Sequence, residues 1–157
     1  MKAMTFLLAA VAAAAFAGLV PFDSADVVEL CPVELLCMEQ NADGVHITAD
    51  GGWGAAGATV KQALKNLDAA VPGRLLLDTV EQVTLTGFLP SPSELLDCGL
   101  RPAVRVFTAP QVKEVDRLAL YLSRLDSGVT LGQWQMRPTT TLPALVACET
   151  GLREARP

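Results

Sequence analysis

Histidine occurs once in this chain, at position 46, so any chemistry that needs an imidazole would depend on that residue. A serine or cysteine nucleophile needs such a base within hydrogen-bond reach, and zinc sites usually collect several His or Cys ligands. His46 stands between Val45 and Ile47 in an alternating segment, and no Gly-x-Ser-x-Gly elbow occurs in the chain. We interpret His46 as an ordinary strand residue. No metal site and no cofactor is predicted.

Three glutamates could be considered for acid/base catalysis: Glu29, Glu34 and Glu39. Glu29 and Glu34 are an odd number of positions apart, so a regular strand places them on opposite faces. Solvent-facing positions explain them better than a pair of catalytic carboxylates. The residues therefore give no support for an enzyme, and we predict that the protein is not one. An exported hydrolase, which would need His46 or a carboxylate pair beside a cleft, is a further alternative.

The four cysteines, at positions 31, 37, 98 and 148, do not have the spacing of a zinc site. We interpret them as small buried apolar residues. Export would make a disulfide chemically feasible, and whether Cys98 and Cys148 take part in one stays open.

A glycine-rich segment at positions 50–57 precedes a predicted helix, which is where phosphate-binding loops occur. It lacks both the Gly-Lys-Ser/Thr ending of a Walker loop and the G-x-G-x-x-G spacing of a dinucleotide site. We predict a flexible connection between a hairpin and a helix. It includes a contact loop formed by Gly51, Gly52, Trp53 and Gly54. Trp53 either makes contacts with a partner or covers one end of the core.

The charge balance is 12 basic against 17 acidic residues, and the basic residues form no block. Nucleic acids and anionic membrane surfaces are recognised by clustered positive charge, so we expect neither as an electrostatic partner.

The N-terminus carries Lys2 and then an almost unbroken apolar run from Ala3 to Val20, the pattern of a signal peptide or membrane anchor. Ala15 and Ala17 are small residues at the two positions that a signal peptidase recognises, which favours cleavage after Ala17. We expect an extracytoplasmic protein that meets the membrane only through this helix, if the helix is not cleaved. The predicted organisation is residues 1–20 for export, 21–26 as a spacer, 27–150 as one α/β domain and 151–157 as a frayed tail.

Within the domain, the periodicity predicts strands and helices in the order β-β-α-β-α-β-α-α-β. A hairpin of residues 27–39 and 45–49 comes first, because the Asn-Ala-Asp-Gly sequence between them is typical of a turn. Strands joined by amphipathic helices indicate an α/β (α+β) fold with a single mixed sheet covered by helices. The remaining segments are a helix that is capped at Thr59 and stops at Pro72-Gly73, strands in 74–86, 103–108 and 141–148, and helices at 91–96, 111–125 and 131–136.

Several of these segments contain ordered motifs. One motif is Gly57-Ala58-Thr59 followed by Ala63-Leu64 and Leu67. A second is Arg74-Leu75-Leu76-Leu77 followed by Val80 and Val83-Thr84-Leu85, and a third is the run from Arg101-Pro102 to Ala109. Together with Leu142-Pro143-Ala144-Leu145 near the end, they resemble the N-terminal domain of the Ger(x)C family, the C-subunits of spore nutrient germinant receptors.

Two departures from the family are visible. Family members usually carry a lipidated cysteine directly after the apolar run, whereas no cysteine stands there in this chain. Family members are also longer, with further domains after the first. The resemblance implies a short, diverged relative that acts through protein partners at a cell or spore envelope, in sporulation or germination. The alternative is an exported small-ligand-binding module that uses the 51–57 loop and Trp53.

Overall fold

The computed structural model describes residues 30–148 and 151–155. Within them a six-stranded mixed sheet is covered by helices, which confirms the predicted α/β class. The helices are α1 (Val60–Ala70), α2 (Pro92–Asp97), α3 (Val115–Leu122) and α4 (Leu131–Met136), with a 3-10 turn at Leu77–Thr79. The strands are β1 (Leu30–Pro32), β2 (Leu35–Asn41), β3 (Gly44–Ala49), β4 (Gly54–Gly57), β5 (Arg74–Leu76), β6 (Gln82–Thr86), β7 (Arg105–Thr108), β8 (Val129–Thr130), β9 (Leu145–Cys148) and β10 (Gly151–Glu154).

The central sheet has the strand order β4-β3-β2-β6-β7-β8. The strands β2, β3 and β4 form an antiparallel meander, and β2, β6 and β7 are parallel neighbours. The helices α1 and α2 serve as the crossovers that parallel pairing requires. β8 closes the far edge in antiparallel pairing. Two smaller pairs, parallel β1-β5 and antiparallel β9-β10, accompany the sheet.

The strand β2 is buried on both faces, and its alternating side chains enter two separate clusters. Leu36 and Met38 belong to the main cluster, which includes buried residues of α1, α2 and α4. Leu35 and Cys37 belong to the second cluster, together with Phe107 and the buried face of α3. The sheet is therefore covered on both sides, as expected for strands with a continuous apolar run.

The helix α1 follows its predicted signals closely. The Thr59 hydroxyl accepts a hydrogen bond from the Gln62 N–H at 3.2 Å, and the helix ends before Pro72. Gly57 permits the close approach of β4 to this helix, because a Cβ atom there would lie 2.4 Å from the Ala63 nitrogen. The predicted short helix at 131–136 is also confirmed, with a full capping box between Thr130 and Gln133.

The predicted strand at 27–39 is divided in the structure, where residues 30–32 and 35–41 lie in different sheets. The division follows Pro32, which has no N–H for a ladder. The next two N–H groups donate to side chains instead: Val33 to the Thr79 hydroxyl at 3.0 Å, and Glu34 to the Asp50 carboxylate at 3.0 Å.

Three further boundaries were predicted wrongly. The connection at 50–57 was expected to be a loop, but its second half is the edge strand β4. The helix predicted at 111–125 is confined to Val115–Leu122, and it begins after Glu114 without a side-chain cap. Residues 151–154, expected to fray, form β10, and the Tyr121 hydroxyl accepts a hydrogen bond from the Glu154 N–H at 3.1 Å.

Within residues 30–148 and 151–155, no helix has the length and apolar character needed to cross a membrane. The predicted export segment at 1–20 and the spacer at 21–26 lie outside the described residues.

Candidate functional site

Asp50 directly precedes the predicted contact loop, and its carboxylate connects the loop to the start of β2. Asp50 Oδ1 accepts hydrogen bonds from the Glu34 N–H at 3.0 Å and the Leu35 N–H at 3.2 Å. The Asp50 N–H donates in return to the Leu35 carbonyl at 3.2 Å. One side chain therefore satisfies the backbone where β2 begins and fixes the position of the loop.

The tip of the loop is fixed from the other side by α3. The Gly51 N–H donates to Asp116 Oδ1 at 2.7 Å, and the Ala49 N–H donates to the Trp53 carbonyl at 2.8 Å. Gly51 and Gly52 have φ angles of 83° and 81°, which glycine adopts without strain. These hydrogen bonds restrain the segment that the sequence predicted to be a flexible connection.

Trp53 is 37% exposed and belongs to neither buried cluster of the described residues. Its indole lies against Gly51, 3.5 Å from where a Cβ atom of that glycine would be. Leu120 is one turn after Asp116 on the same flank of α3 and is 57% exposed. The structure thus places the four predicted contact residues, Gly51 to Gly54, beside a helix flank that exposes a large apolar side chain.

His46 lies on β3, half-buried and directly opposite Glu39 of β2. Its Nδ1 is 3.4 Å from the Thr48 hydroxyl, and its Cε1 is 3.4 Å from the Cβ position of Gly54. These contacts match the interpretation of His46 as a strand residue. Among the described residues, no group of three or more His, Cys, Asp or Glu side chains could hold a metal ion.

The cysteines whose side chains are described carry free thiols: Cys31, Cys37 and Cys98. Cys37 is buried, and burial raises the pKa of its thiol to about 11 although the neighbouring Thr84 hydroxyl lowers it. Cys31 and Cys98 are half-buried against the main cluster. The prediction of buried cysteines is confirmed for Cys37, while the side chain of Cys148 lies outside the described set.

A cleft of about 280 Å³ opens at a place that the sequence did not indicate, between α1, β5 and the end of α2. Its floor is apolar and its rim is charged. The floor is formed by Leu64, Leu75, Leu77 and Cys98, and the rim by Lys61, Lys65, Asp68, Arg74 and Asp97. Trp53 is not among the lining residues, so the cleft and the contact loop are separate features.

Some charged side chains on this rim have a hydrogen-bond partner within the described chain, and others have no ion-pair partner there. Asp68 Oδ1 accepts a hydrogen bond from the Leu75 N–H at 2.7 Å, so that carboxylate is used to connect α1 with β5. Within residues 30–148 and 151–155, the ion pair found is Glu114–Arg117, on α3. Lys61, Lys65 and Arg74 therefore face the cleft without a carboxylate of the described chain at ion-pair distance.

Cys98 is the residue of the cleft with nucleophilic chemistry, and its surroundings suppress that chemistry. Burial, followed by the negative charge of Glu94, raises the pKa of the Cys98 thiol, although Lys61 acts in the opposite direction. A thiol with a raised pKa holds little thiolate, which is the reactive form. The raised pKa therefore argues against a nucleophilic role for Cys98.

The spacing of Lys61, Leu64, Lys65 and Asp68 could have shown that they share one face of α1. No sequence signal places Arg74 or Cys98 beside them, because they come from separate elements.

Comparison of the chain with protein-family models, with curated proteins and with solved structures gave no significant match.

Proposed function

We propose that this chain is an exported, non-enzymatic envelope protein that acts through protein–protein contacts. It resembles the first domain of spore germinant-receptor C-subunits, so we place its role in sporulation or germination. Two features of the sequence support the proposal: the apolar N-terminal segment with Ala15 and Ala17 at a cleavage site, and the ordered motifs between positions 57 and 145.

The motif segments occupy parts of the fold that pack the main cluster. The first covers the end of β4 and most of α1, the second runs from β5 into β6, and the third contains β7. Their apolar positions include buried residues on each of these elements. The resemblance therefore concerns packing, and the surface that meets a partner must be argued separately.

The observation that carries the contact hypothesis is the fixed loop that presents Trp53. Asp50 anchors one end of the loop to β2, and Asp116 holds its tip against α3. A pre-organised loop loses little conformational entropy when it binds. Partly exposed tryptophan is also enriched among the residues that dominate binding energy at interfaces. Trp53 and Leu120 are thus the residues that we assign to the partner interface.

Site-specific photo-crosslinking in the producing cell tests this assignment. A photoreactive amino acid at position 53 is expected to give a discrete crosslink to an envelope protein. The matched control is position 136, where Met136 is 78% exposed at the end of α4, and it should not give that product. The same product from both positions, or no discrete product from position 53, would contradict the interface.

Export is tested independently by determining the N-terminus of the protein recovered outside the cytoplasm. Cleavage after Ala17 is the expected result, and retention of the whole segment would indicate an anchored form. Recovery of the full chain in the cytoplasm alone would contradict the envelope role.

The small-ligand module that uses the 51–57 loop remains the alternative. It requires a ligand that contacts the Trp53 indole, and so changes tryptophan fluorescence in the intact protein but not in a Trp53→Phe variant. The other tryptophan, Trp134, is buried in the main cluster and serves as an internal reference.

A further inference from the structure

The cleft between α1, β5 and the end of α2 combines three cationic side chains with an apolar floor. The chain as a whole carries a net charge of −5. Three of its cations, Lys61, Lys65 and Arg74, nevertheless line one cleft of about 280 Å³. Lys61 and Lys65 are four positions apart on α1, an arrangement of like charges that weakens a helix slightly.

The carboxylates on the rim do not offset these cations by direct pairing. Asp68 is engaged with the Leu75 N–H, and neither Asp68 nor Asp97 forms an ion pair with a described cation. Lys61, Lys65 and Arg74 line the same cleft without an ion-pair partner among the described residues, and an anion there would relieve their mutual repulsion and accept their hydrogen bonds.

The floor of the cleft adds a second requirement to the ligand. Leu64 and Leu75 are buried, and Leu77 and Cys98 are half-buried. The accessible part of the floor therefore comes mainly from Leu77 and Cys98; a short hydrocarbon chain would cover it, whereas an inorganic anion would leave it in contact with water. The volume is at the lower limit for ligand pockets, which suits a small molecule better than a peptide.

We propose that this cleft binds a small amphiphilic carboxylate, with its head group among Lys61, Lys65 and Arg74 and its apolar body on Leu64, Leu75 and Leu77. The site is distinct from the Trp53 interface and does not depend on it. Cys98 contributes to the apolar floor, and its thiol reports on whether the cleft is occupied.

Hexanoate is the probe that tests the proposal, with acetate as the head group alone and hexanol as the tail alone. Each compound is titrated into the full chain from an exporting host, and backbone amide signals are followed by NMR. Hexanoate is expected to give saturable shifts in α1 and at residues 97–98, with at least about tenfold tighter binding than acetate or hexanol. Equal binding of hexanoate and hexanol, or of hexanoate and acetate, would overturn the proposal.

Labelling of Cys98 by iodoacetamide, which is uncharged, gives a second readout. Peptide mapping separates this site from Cys31, Cys37 and Cys148. Bound hexanoate should slow the labelling of Cys98, whereas unchanged labelling at saturating hexanoate would place the ligand elsewhere and overturn the assignment.

The cationic rim is tested by the double variant Lys61→Gln/Lys65→Gln. Loss of two charge-assisted contacts should weaken hexanoate binding about tenfold or more. The matched control, Lys113→Gln/Arg124→Gln, removes the same charge from exposed positions outside the cleft and should bind as the parent does. Equal weakening in both variants would show a general charge effect and overturn the proposal. All four positions are exposed, so we expect the fold to be unaffected, and an unchanged unfolding midpoint checks this.

Discussion

The two faces of the central sheet are built differently. The face towards α1, α2 and α4 holds most of the buried residues, including all of the alternating apolar positions of β3. The opposite face is covered mainly by α3, and its cluster is small. Polar side chains such as Thr84, fully buried, and His46, half-buried, also lie outside the main cluster. The comparison suggests that the main face supplies most of the stability, while the α3 face positions the contact loop.

Two neighbouring leucines of β2 test this division most strongly, since Leu35 and Leu36 are both fully buried and differ in the face they enter. Leu36→Ala should lower the free energy of unfolding by about 3–5 kcal/mol, because the surrounding main cluster cannot collapse into the cavity. Leu35→Ala should cost about 2–3 kcal/mol, because a single helix covers that site and can adjust. Urea unfolding measures both values, and equal losses would show that the α3 face is packed as tightly as the main face.

Alkaline pH should weaken the α3 face through Cys37. Burial raises the pKa of this thiol from 9.0 to about 11, so between these values the unfolded chain loses its proton while the folded chain retains it. The contribution of the neutral thiol is complete below pH 9 and is lost as the pH rises towards 11, by up to about 3 kcal/mol.

The measurement for Cys37 is the difference in unfolding free energy between the parent and Cys37→Ala. This difference should be constant below pH 9 and fall between pH 9 and 11. Other groups that titrate in this range are common to both proteins and cancel. A difference that stays flat to pH 11 would mean that water reaches the thiol through the α3 layer.

Substitutions at two glycines compare the contact between β4 and α1 with the backbone of the contact loop. Gly57→Ala places a methyl group 2.4 Å from the Ala63 nitrogen, so β4 and α1 must separate, at a cost of about 1–3 kcal/mol. Gly52→Ala meets no atom within 4 Å and suffers only from its φ of 81°, which costs about 1 kcal/mol. Thermal unfolding should rank Gly57→Ala as the more harmful change. The reverse order would show that the loop constrains the fold more than the contact between β4 and α1.

The smallest effect is expected at the end of α3, where Arg105 donates hydrogen bonds to the Leu122 and Leu125 carbonyls. A cation at a helix C-terminus also interacts favourably with the helix dipole. Arg105→Met should cost about 1 kcal/mol and speed amide hydrogen exchange in α3 while α1 stays protected. Arg124→Met also removes a cation near this helix end but no side-chain hydrogen bond to it, so it is the control and should have a clearly smaller effect on both measurements. Faster exchange in both helices would indicate that the two faces unfold together.

Local signals in the sequence were sufficient to predict where several elements begin or end. Thr59 with Gln62, Pro72 after α1, and Pro92 at the start of α2 fix helix ends through contacts within a few residues, and the structure confirms them. The turn at 41–44 fixes the hairpin for the same reason. The resemblance to germinant-receptor domains and the export role remain predictions that the proposed experiments address.

The sequence predicted the wrong boundaries for elements whose ends depend on residues far away along the chain. The break after Pro32 is completed by Thr79 and Asp50, and the tail strand β10 depends on β9 and Tyr121. A short segment has too little local preference to reveal such partners, because tertiary contacts decide its conformation.

By itself the sequence determined the α/β class, the hairpin at the start of the domain and the capped helices, since these follow from periodicity and from turn and capping chemistry. Only the tertiary structure decided that Asp50 and Asp116 hold the 51–54 loop in place, and that Lys61, Arg74 and Cys98 share one cleft. The physical reason is the distance along the chain. These hydrogen bonds and this cleft join residues that are far apart in sequence and that only the crossover topology brings together, so no local sequence pattern predicts the contacts.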